Sequence, residues 1–417
     1  MNSYDYVIIG NSAAGIGCVE GIRKVDETGS IAIVSYEDIH AYSRCMVTHY
    51  ISGHIDEKKM YFRKENFYEE WNVTPYLGRR AKRINRSTKV VRLDNGEELG
   101  YHKLLLATGA SPAPYDVAGN TLEGVYFLRT ADDSRAVLQD VKKGGKAIIL
   151  GGGLVGMKAA DALNEQGMDV TIAIASSQLL SQTMDRYGAE LIRNAVESNG
   201  IHVLTDSPVK EILGDEHVTG IEFENGTIIP ADLVILAKGV RPNTILAKTC
   251  GLAIDYGILV DEFMKTSDDN IYAAGDVAEA LDLIRGGKVV HAIWPNALEQ
   301  GRVAGMNMAG ANVTYGGGIG MNSAEFFGVA AISMGLCRTR DEKGMEVLVC
   351  KNGEKGTYRK IVLQNNIIVG AVCIGDVECA GVFNGLILRR TDVSKIKDIL
   401  LRDDFDYAKL VGAGLVE

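Results

Sequence analysis

Two glycine-spaced turns are the residues best suited to chemistry in this sequence. Gly10-Asn11-Ser12-Ala13-Ala14-Gly15 follows the short apolar run Tyr4 to Ile9 and leads into a helix-like stretch from Ala13 to Lys24. Gly151-Gly152-Gly153-Leu154-Val155-Gly156 follows Lys146 to Leu150 in the same way, and here Gly151, Gly153 and Gly156 all stand in G-x-G-x-x-G register. Strand, tight turn and helix in that order leave the free N–H groups of a helix N-terminus at the turn, where a dinucleotide pyrophosphate can meet them. In the first turn Ser12 occupies the middle glycine and narrows the backbone approach. A second apolar strand, Ser30 to Ser35, ends two residues before Glu37, a carboxylate placed to accept a ribose hydroxyl. One such turn could be an ordinary strand-to-helix connection. Two, each followed by a helix and a second strand, make two nucleotide sites the better reading.

Other segments must position these turns. Leu104 to Ala110 and Asp232 to Asn243 read as buried parallel strands that finish in small residues and glycine, as Ala107-Thr108-Gly109 and as Gly239-Val240-Arg241-Pro242-Asn243. Ile271 to Asp276 places the Asp276 carboxylate directly after a strand and Gly275. Asn296 to Ala309 is predicted to be a helix started by Pro295 and stopped near Gly310. Beyond Tyr315 the runs Glu346 to Cys350, Tyr358 to Leu363 and Ile367 to Ile374 read as strands, with a hairpin turn at Asn365-Asn366. Helices are predicted over Asp376 to Arg390 and Ser394 to Leu401. The apolar face with Val382, Phe383, Leu386 and Ile387 serves either core packing or a docking surface.

The 417 residues exceed a single domain, which points to two or three packed units. A hydrophobic share of 46% with 24% charged residues is that of a folded globular chain. The formal charge of −10 opposes a large polyanion interface, so no nucleic-acid partner is expected. The sequence has neither a basic start followed by an apolar run nor a long uninterrupted apolar stretch, and we expect a cytoplasmic protein with no membrane association. The seven cysteines are scattered and form no C-x-x-C pair, and the seven histidines show no H-E-x-x-H spacing. We therefore expect no disulfide framework and no metal site. Cys373 and Cys379 read as structural.

Taken in order, the Gly10 to Gly15 turn, Ala107-Thr108-Gly109, the Gly151 to Gly156 turn, Gly239 to Asn243 and Ala274-Gly275-Asp276 resemble the motif series of one family. It is the pyridine nucleotide-disulfide oxidoreductase superfamily, flavoproteins with two dinucleotide-binding domains. Tyr42-Ser43-Arg44 after Glu37, Gln300 to Gly305 and a long tail bring the chain nearest to the NADH:rubredoxin reductase, nitrite-reductase flavin-module and NADH oxidase group. The resemblance implies an α/β fold with two Rossmann-like domains and a small C-terminal α+β domain. A discontinuous FAD domain would span 1–115 and 245–315, with the NAD(P)H domain inserted over 116–244 and an interface or partner-docking domain over 316–417. It implies that Gly10, Ser12, Ala13, Ala14 and Gly15 approach the FAD pyrophosphate and that Glu37 takes the adenosine ribose. Arg44, Ala107, Thr108 and Gly109 would contact the same cofactor, and Asp276 beside Gly275 would take its ribityl chain. Pro295 and Asn296 would begin the helix whose positive end faces the flavin pyrimidine edge. Gly151, Gly153, Leu154, Val155, Gly156, Ser176, Gly239 and Arg241 would hold NAD(P)H. The implied activity is transfer of hydride from nicotinamide to flavin N5, or the reverse, and exchange of single electrons with a small iron-sulfur or rubredoxin-type carrier protein. A homodimer is also implied.

Departures from the family pattern bear on the chemistry. The disulfide reductases carry a cysteine pair beside the flavin, whereas Cys45-Met46-Val47-Thr48-His49-Tyr50 holds one, which excludes a relay of that type. Cys45 keeps two readings. With Arg44 and His49 favouring thiolate it would serve an NADH oxidase or peroxidase, or a low-molecular-weight disulfide reductase; a free cysteine is also a common buried hydrophobe. Two residues after the third glycine most relatives have Glu, and this chain has Lys158. Its ammonium either favours reduced, anionic flavin or is solvated on the helix flank. At the end of the strand Val170 to Ala175 an acid would select NAD and an arginine NADP, and Ser176-Ser177 stands there instead. The resemblance and the lack of a nearby arginine cluster favour NADH, with NADPH as the alternative. A reading from a different class is a nucleotide-binding interaction protein whose flavin is structural or sensory.

Overall fold

The computed structural model describes residues 1–338 and 343–415, so residues 339–342, 416 and 417 of the predicted C-terminal domain lie outside the described residues. The chain divides into two compact units. The first comprises Met1–Met46, Asp56–Ser111 and Val240–Ile319. Its frame is a seven-stranded sheet in which Val73–Tyr76, Ile31–Val34, Asn2–Ile9, Glu98–Leu106 and Ile271–Ala273 run parallel. Ile31 to Val34 is buried throughout, as expected of a parallel strand covered on both faces. The pairing aligns Val34, Ile9, Leu106 and Ala273 in one row, so the turns that follow these strands open along a single edge.

The predicted helix after the first turn forms over Ala13–Arg23 and is buried from Ala13 to Ile22. It lies against the helix Trp294–Met308, which has Pro295 in its first turn as predicted. Glycines make the contact: a Cβ added at Gly17 would stand 2.3 Å from the Leu298 carbonyl oxygen, and one at Gly305 2.2 Å from that of Cys18. Two backbones can touch only where side chains are missing, which accounts for glycines inside a helix, where each costs about 1 kcal/mol of propensity.

The second unit comprises Val47–Ile55, Pro112–Gly239 and the chain from Gly320 onward. A five-stranded parallel sheet runs in the order His202–Leu204, Asp169–Ala173, Lys146–Leu150, Leu233–Leu236 and Val125–Phe127. Ala173, Leu150 and Leu236 share one row, the counterpart of the row in the first unit. Helix Leu154–Glu165 packs on the short helix Val47–Ile51, and Gln166 Nε2 donates to the Ile51 carbonyl at 3.0 Å. The C-terminal part is a five-stranded antiparallel sheet in the order Met321–Phe326, Val329–Gly335, Ile367–Ile374, Thr357–Gln364, Glu346–Asn352. Asn365 and Asn366 form its predicted hairpin turn with φ of 52° and 61°, the positive values a two-residue hairpin of this kind requires. Asp185 ties this sheet to the helix Arg186–Ser198, which it caps by accepting the Gly188 N–H: its Oδ2 receives Lys360 Nζ at 2.8 Å and Tyr358 OH at 2.6 Å.

Two predicted helices differ from what forms. The one expected over Asp376 to Arg390 starts at Ala380 and ends at Leu388, because the Asp376 carboxylate is engaged by Arg359 at 3.0 Å and by the Glu378 N–H. The one expected over Ser394 to Leu401 is a single 3₁₀ turn, Lys397–Ile399. Its buried residues Val393, Ile396 and Leu400 show helical spacing, but consecutive turns satisfy that spacing without the cost of nucleating an isolated short helix.

Two glycine cradles as candidate nucleotide sites

In the first unit Gly10 follows Ile9 with φ +127°, and a Cβ there would stand 2.0 Å from the Ala107 carbonyl oxygen. At Gly15 a Cβ would stand 1.9 Å from the Gly10 carbonyl oxygen. Both positions are closed to side chains, and the turn is thereby drawn against Ala107-Thr108-Gly109. Ala13 and Ala14 are buried in the first helical turn. Ser12 is the N-cap residue, yet its hydroxyl makes no capping bond, so the helix N–H groups are left for an anion. Asn243 joins two motifs that are far apart in sequence: Thr108 Oγ1 donates to its carbonyl and its Nδ2 donates to the Thr108 carbonyl, both at 2.9 Å. Arg241, in the same element, belongs to the first unit and is exposed, while Gly239 belongs to the second. Gly275 has φ +81°, and its N–H donates at 2.9 Å to Oε1 of the buried Gln300; Asp276 follows, half-buried. Asn296, in the first turn of the Trp294–Met308 helix, donates from Nδ2 to the Ile319 carbonyl at 3.1 Å.

Glu37 is only 6% exposed. Tyr42 donates to its Oε2 and Arg44 to its Oε1, so the predicted ribose acceptor is held on both oxygens. Burial alone would lower the Arg44 pKa, but Tyr42 and Glu37 outweigh it and raise the guanidinium. Beside this turn Asn11 exchanges hydrogen bonds with the Tyr68 hydroxyl, and the His40 ring lies 4.9 Å from that of Tyr68. His40 Nε2 is buried with no partner among the described residues, a polar atom that a bound adenosine could satisfy. The closed glycines, the uncapped helix and this nitrogen together fit a dinucleotide such as FAD.

The second unit repeats the plan. Gly151 has φ +142° and its Cβ would stand 2.2 Å from the Ala237 carbonyl oxygen; at Gly156 a Cβ would stand 2.0 Å from that of Gly151. A Cβ at Gly153 would meet nothing within 4 Å, so this side of the turn is open. Leu154 begins the helix, again without a side-chain cap, and Val155 is 48% exposed. Ser176 Oγ donates to the Gln178 carbonyl at 3.1 Å. Lys158 Nζ is bound by Asp161 at 2.7 Å and by the Glu325 carbonyl at 3.1 Å, so its charge is engaged within the second unit while the side chain stays 26% exposed.

Cys45 lies on the 3₁₀ turn Arg44–Met46 and is the only exposed cysteine of the seven, so it is not a buried hydrophobe. Sequence reading missed several groups. It found no arginine cluster near Ser176, but the fold brings Arg186 and Arg193 to a cavity that Ser177 also lines, since residues on a later helix are not neighbours in sequence. Lys238 lies 4.7 Å over the Tyr115 ring and burial lowers its pKa. Asp282, buried ahead of the Pro295 helix, lies 3.3 Å from His291 Nε2 and 3.0 Å from Arg285 Nη1. Burial would raise its carboxyl, but His291 and the Arg285 donors hold it well below the usual range. No residue spacing announced these contacts.

Residues 4–301 match the family described as pyridine nucleotide-disulphide oxidoreductase. The chain belongs to that family. Its residues 321–391 match the rubredoxin NAD+ reductase C-terminal domain. It is 34% identical over 396 residues to the NADH-dependent phenylglyoxylate dehydrogenase subunit epsilon of Aromatoleum evansii, covering 94% of this chain and 93% of that one. It is 31% identical over 401 residues to the nitrite reductase [NAD(P)H] of Bacillus subtilis, covering 96% of this chain but only 49% of that protein's length. The covalent putidaredoxin reductase–putidaredoxin complex superposes with a TM-score of 0.89 at 25% identity, covering 100% of this chain and 99% of that one. This oxidoreductase is an FAD-dependent enzyme of NADH, with Rossmann-like domains as the sequence led us to expect.

Proposed function

We propose that this oxidoreductase binds FAD in the first cradle and NADH in the second, and exchanges electrons with a small iron-sulfur or rubredoxin-type carrier protein. The observation that carries the reading is the repeated cradle: two turns closed by equivalent carbonyl contacts, each ending in a helix whose first N–H groups have no side-chain cap. FAD, when bound, supplies the conversion between a two-electron donor and one-electron steps. The chain supplies binding and orientation. The two helix N-termini oppose pyrophosphate charge, Glu37 fixed by Tyr42 and Arg44 receives a ribose hydroxyl, and Asp276 takes the ribityl chain. The N-terminus of the Trp294–Met308 helix stabilises nearby negative charge by roughly 0.3–1 kcal/mol. The match of the C-terminal region to a rubredoxin reductase domain and the putidaredoxin complex support a carrier of this class. In this reading the enzyme works in the cytoplasm as a homodimer; among the described residues no helix is long and apolar enough to cross a membrane.

Anaerobic mixing with NADH should bleach the flavin absorbance, and oxidised rubredoxin or a [2Fe-2S] ferredoxin should restore it over many turnovers. Protein that takes up no flavin, or flavin that NADH leaves oxidised, overturns the reading. The exposure of Cys45 favours a second one, in which electrons reach peroxide, oxygen or a small disulfide through its thiol. Cys45→Ser separates the two: carrier reduction at the unaltered rate removes the thiol route.

A further inference from the structure

Cys373 and Cys379 read as structural in the sequence, and the fold of the C-terminal sheet brings them together. Cys373 lies near the end of the strand Ile367–Ile374, and Cys379 is the N-cap residue of the helix Ala380–Leu388. Gly375, with φ +76°, turns the chain between them, and the helix packs back on the strand it has just left. Arg359 locates both sulfurs. It stands directly opposite Cys373 in the antiparallel pairing of Thr357–Gln364 with Ile367–Ile374, so the two side chains share one face of the sheet. Its guanidinium lies 5.9 Å over the Phe383 ring, and Phe383 is one turn beyond Cys379 on the same side of the helix. Cys373, Arg359 and Cys379 therefore occupy one layer between sheet and helix.

This layer treats the two thiols unequally. The Arg359 guanidinium, 7% exposed, donates to Asp376 Oδ2 at 3.0 Å and to the Arg402 carbonyl at 2.7 Å, which holds a buried cation beside the pair. A nearby guanidinium and a helix N-terminus both favour thiolate over thiol. The hydrogen bond from Cys373 and the charge of Arg359 keep Cys379 below its ordinary pKa in spite of burial. The same hydrogen bond, together with burial, pushes Cys373 up, so Cys373 keeps its proton. Accessibility follows the same order: Cys379 is 4% exposed and Cys373 is fully buried.

We propose that Cys373 and Cys379 are a hydroperoxide-reactive dithiol that closes to an intramolecular disulfide, Cys379 meeting the oxidant and Cys373 resolving the product. The Cys379 thiolate attacks one oxygen of the hydroperoxide. An S–O bond replaces the O–O bond, and the other oxygen leaves as water or alcohol with the proton the thiol gave up. The Cys373 sulfur then displaces the sulfenic oxygen: the S–S bond forms, the S–O bond breaks, and the oxygen leaves as water with the Cys373 proton. Two thiols lose the two electrons that the hydroperoxide gains.

The test reads masses and needs no turnover. Trypsin releases residues 361–389 as one fragment, which contains Cys373, Cys379 and no other cysteine. Flavin-loaded enzyme is treated with hydrogen peroxide, its remaining thiols are alkylated in denaturant, and the fragments are weighed. The 361–389 fragment should be unalkylated and lighter by two hydrogens, and dithiothreitol should restore both thiols, while the buried Cys18 and Cys337 remain alkylatable. In Cys373→Ser the sulfenic acid has no resolving partner, and dimedone should label Cys379; in Cys379→Ser, labelling of Cys373 should be about tenfold slower. A native fragment that keeps both thiols overturns the proposal, as does oxidation of the pair no faster than that of Cys18 and Cys337. Labelling of Cys373 in Cys379→Ser at the rate of Cys379 in Cys373→Ser overturns it as well.

Discussion

The two cradles share one backbone plan and part company at the rim. Gly10 and Gly151 both take positive φ and press on a neighbouring carbonyl oxygen, at 2.0 Å and 2.2 Å for an added Cβ. The middle position is Ser12 in one and the open Gly153 in the other. After the second strand the first cradle has Glu37 locked by Tyr42 and Arg44, whereas the second has Ser177 lining one cavity with Arg186, Glu190 and Arg193 of the next helix. In the proposed reading the backbone recognises what the two coenzymes have in common, the pyrophosphate, and side chains at the end of the next strand read the sugar, where they differ.

The sharpest way to break this comparison is to fill one cradle at a time. Gly10→Val places a side chain against backbone at positive φ, a strain of order 3 kcal/mol, and should yield protein without flavin. Gly151→Val should remain yellow but lose about a hundredfold in its rate of reduction by NADH, the equivalent of roughly 3 kcal/mol. Loss of flavin from both variants, read from the absorbance of the purified proteins, would show that the cradles are not independent.

Asp185→Asn tests what holds the second rim. Lys360 is 1% exposed, and removing its carboxylate should lower stability by about 3 kcal/mol, read as a lower urea midpoint. Burial raises the Asp185 pKa, but Lys360, Tyr358 and the Gly188 N–H outweigh it and hold the carboxyl below its ordinary value. A depressed folded pKa contributes stability that is complete above the unfolded value of about 4 and is lost as pH falls through the folded one. The difference in midpoint between the native protein and Asp185→Asn should therefore be largest at neutral pH and close in acid below pH 4.

On the first rim, Glu37→Gln leaves the Arg44 guanidinium without its carboxylate and should cost about 2 kcal/mol, seen as earlier flavin release in urea. Ser176→Ala, at the corresponding place in the second cradle, should change stability by less than about 0.5 kcal/mol. The smallest effect is expected from exchanging the middle residues. Ser12→Gly and Gly153→Ser should each shift the midpoint by no more than about 0.5 kcal/mol, because neither side chain is held by the fold.

What could be read from sequence was what short-range sterics dictate. The glycines at 10, 15, 151 and 156 announce turns because their backbone contacts lie at strand ends a few residues away or in the same row of the sheet. Asn365-Asn366 was legible for the same reason. Arg186 and Arg193 were not, since only the packing of a later helix brings them to the rim. Nor was the assignment of Val47–Ile55 to the second unit, because the chain changes units directly after Met46 with no break in composition. The segment around Ile396 shows the limit of apolar spacing, which specifies burial but not whether a helix or successive turns provide it.

The glycine-faced pairing of Ala13–Arg23 with Trp294–Met308 also sets a timetable for biosynthesis. Cys18 Sγ lies 3.6 Å from Met308 Sδ across a separation of 290 residues. At the elongation rates of about 5–20 residues per second typical of ribosomes, roughly 15–60 s pass between the emergence of one helix and of its mate. During that interval the earliest part of the chain has an uncovered apolar flank, while the inserted segment can mature first. The compartment begun earliest is thus the one completed late, and nascent chains stalled before the second helix should be the species that molecular chaperones retain.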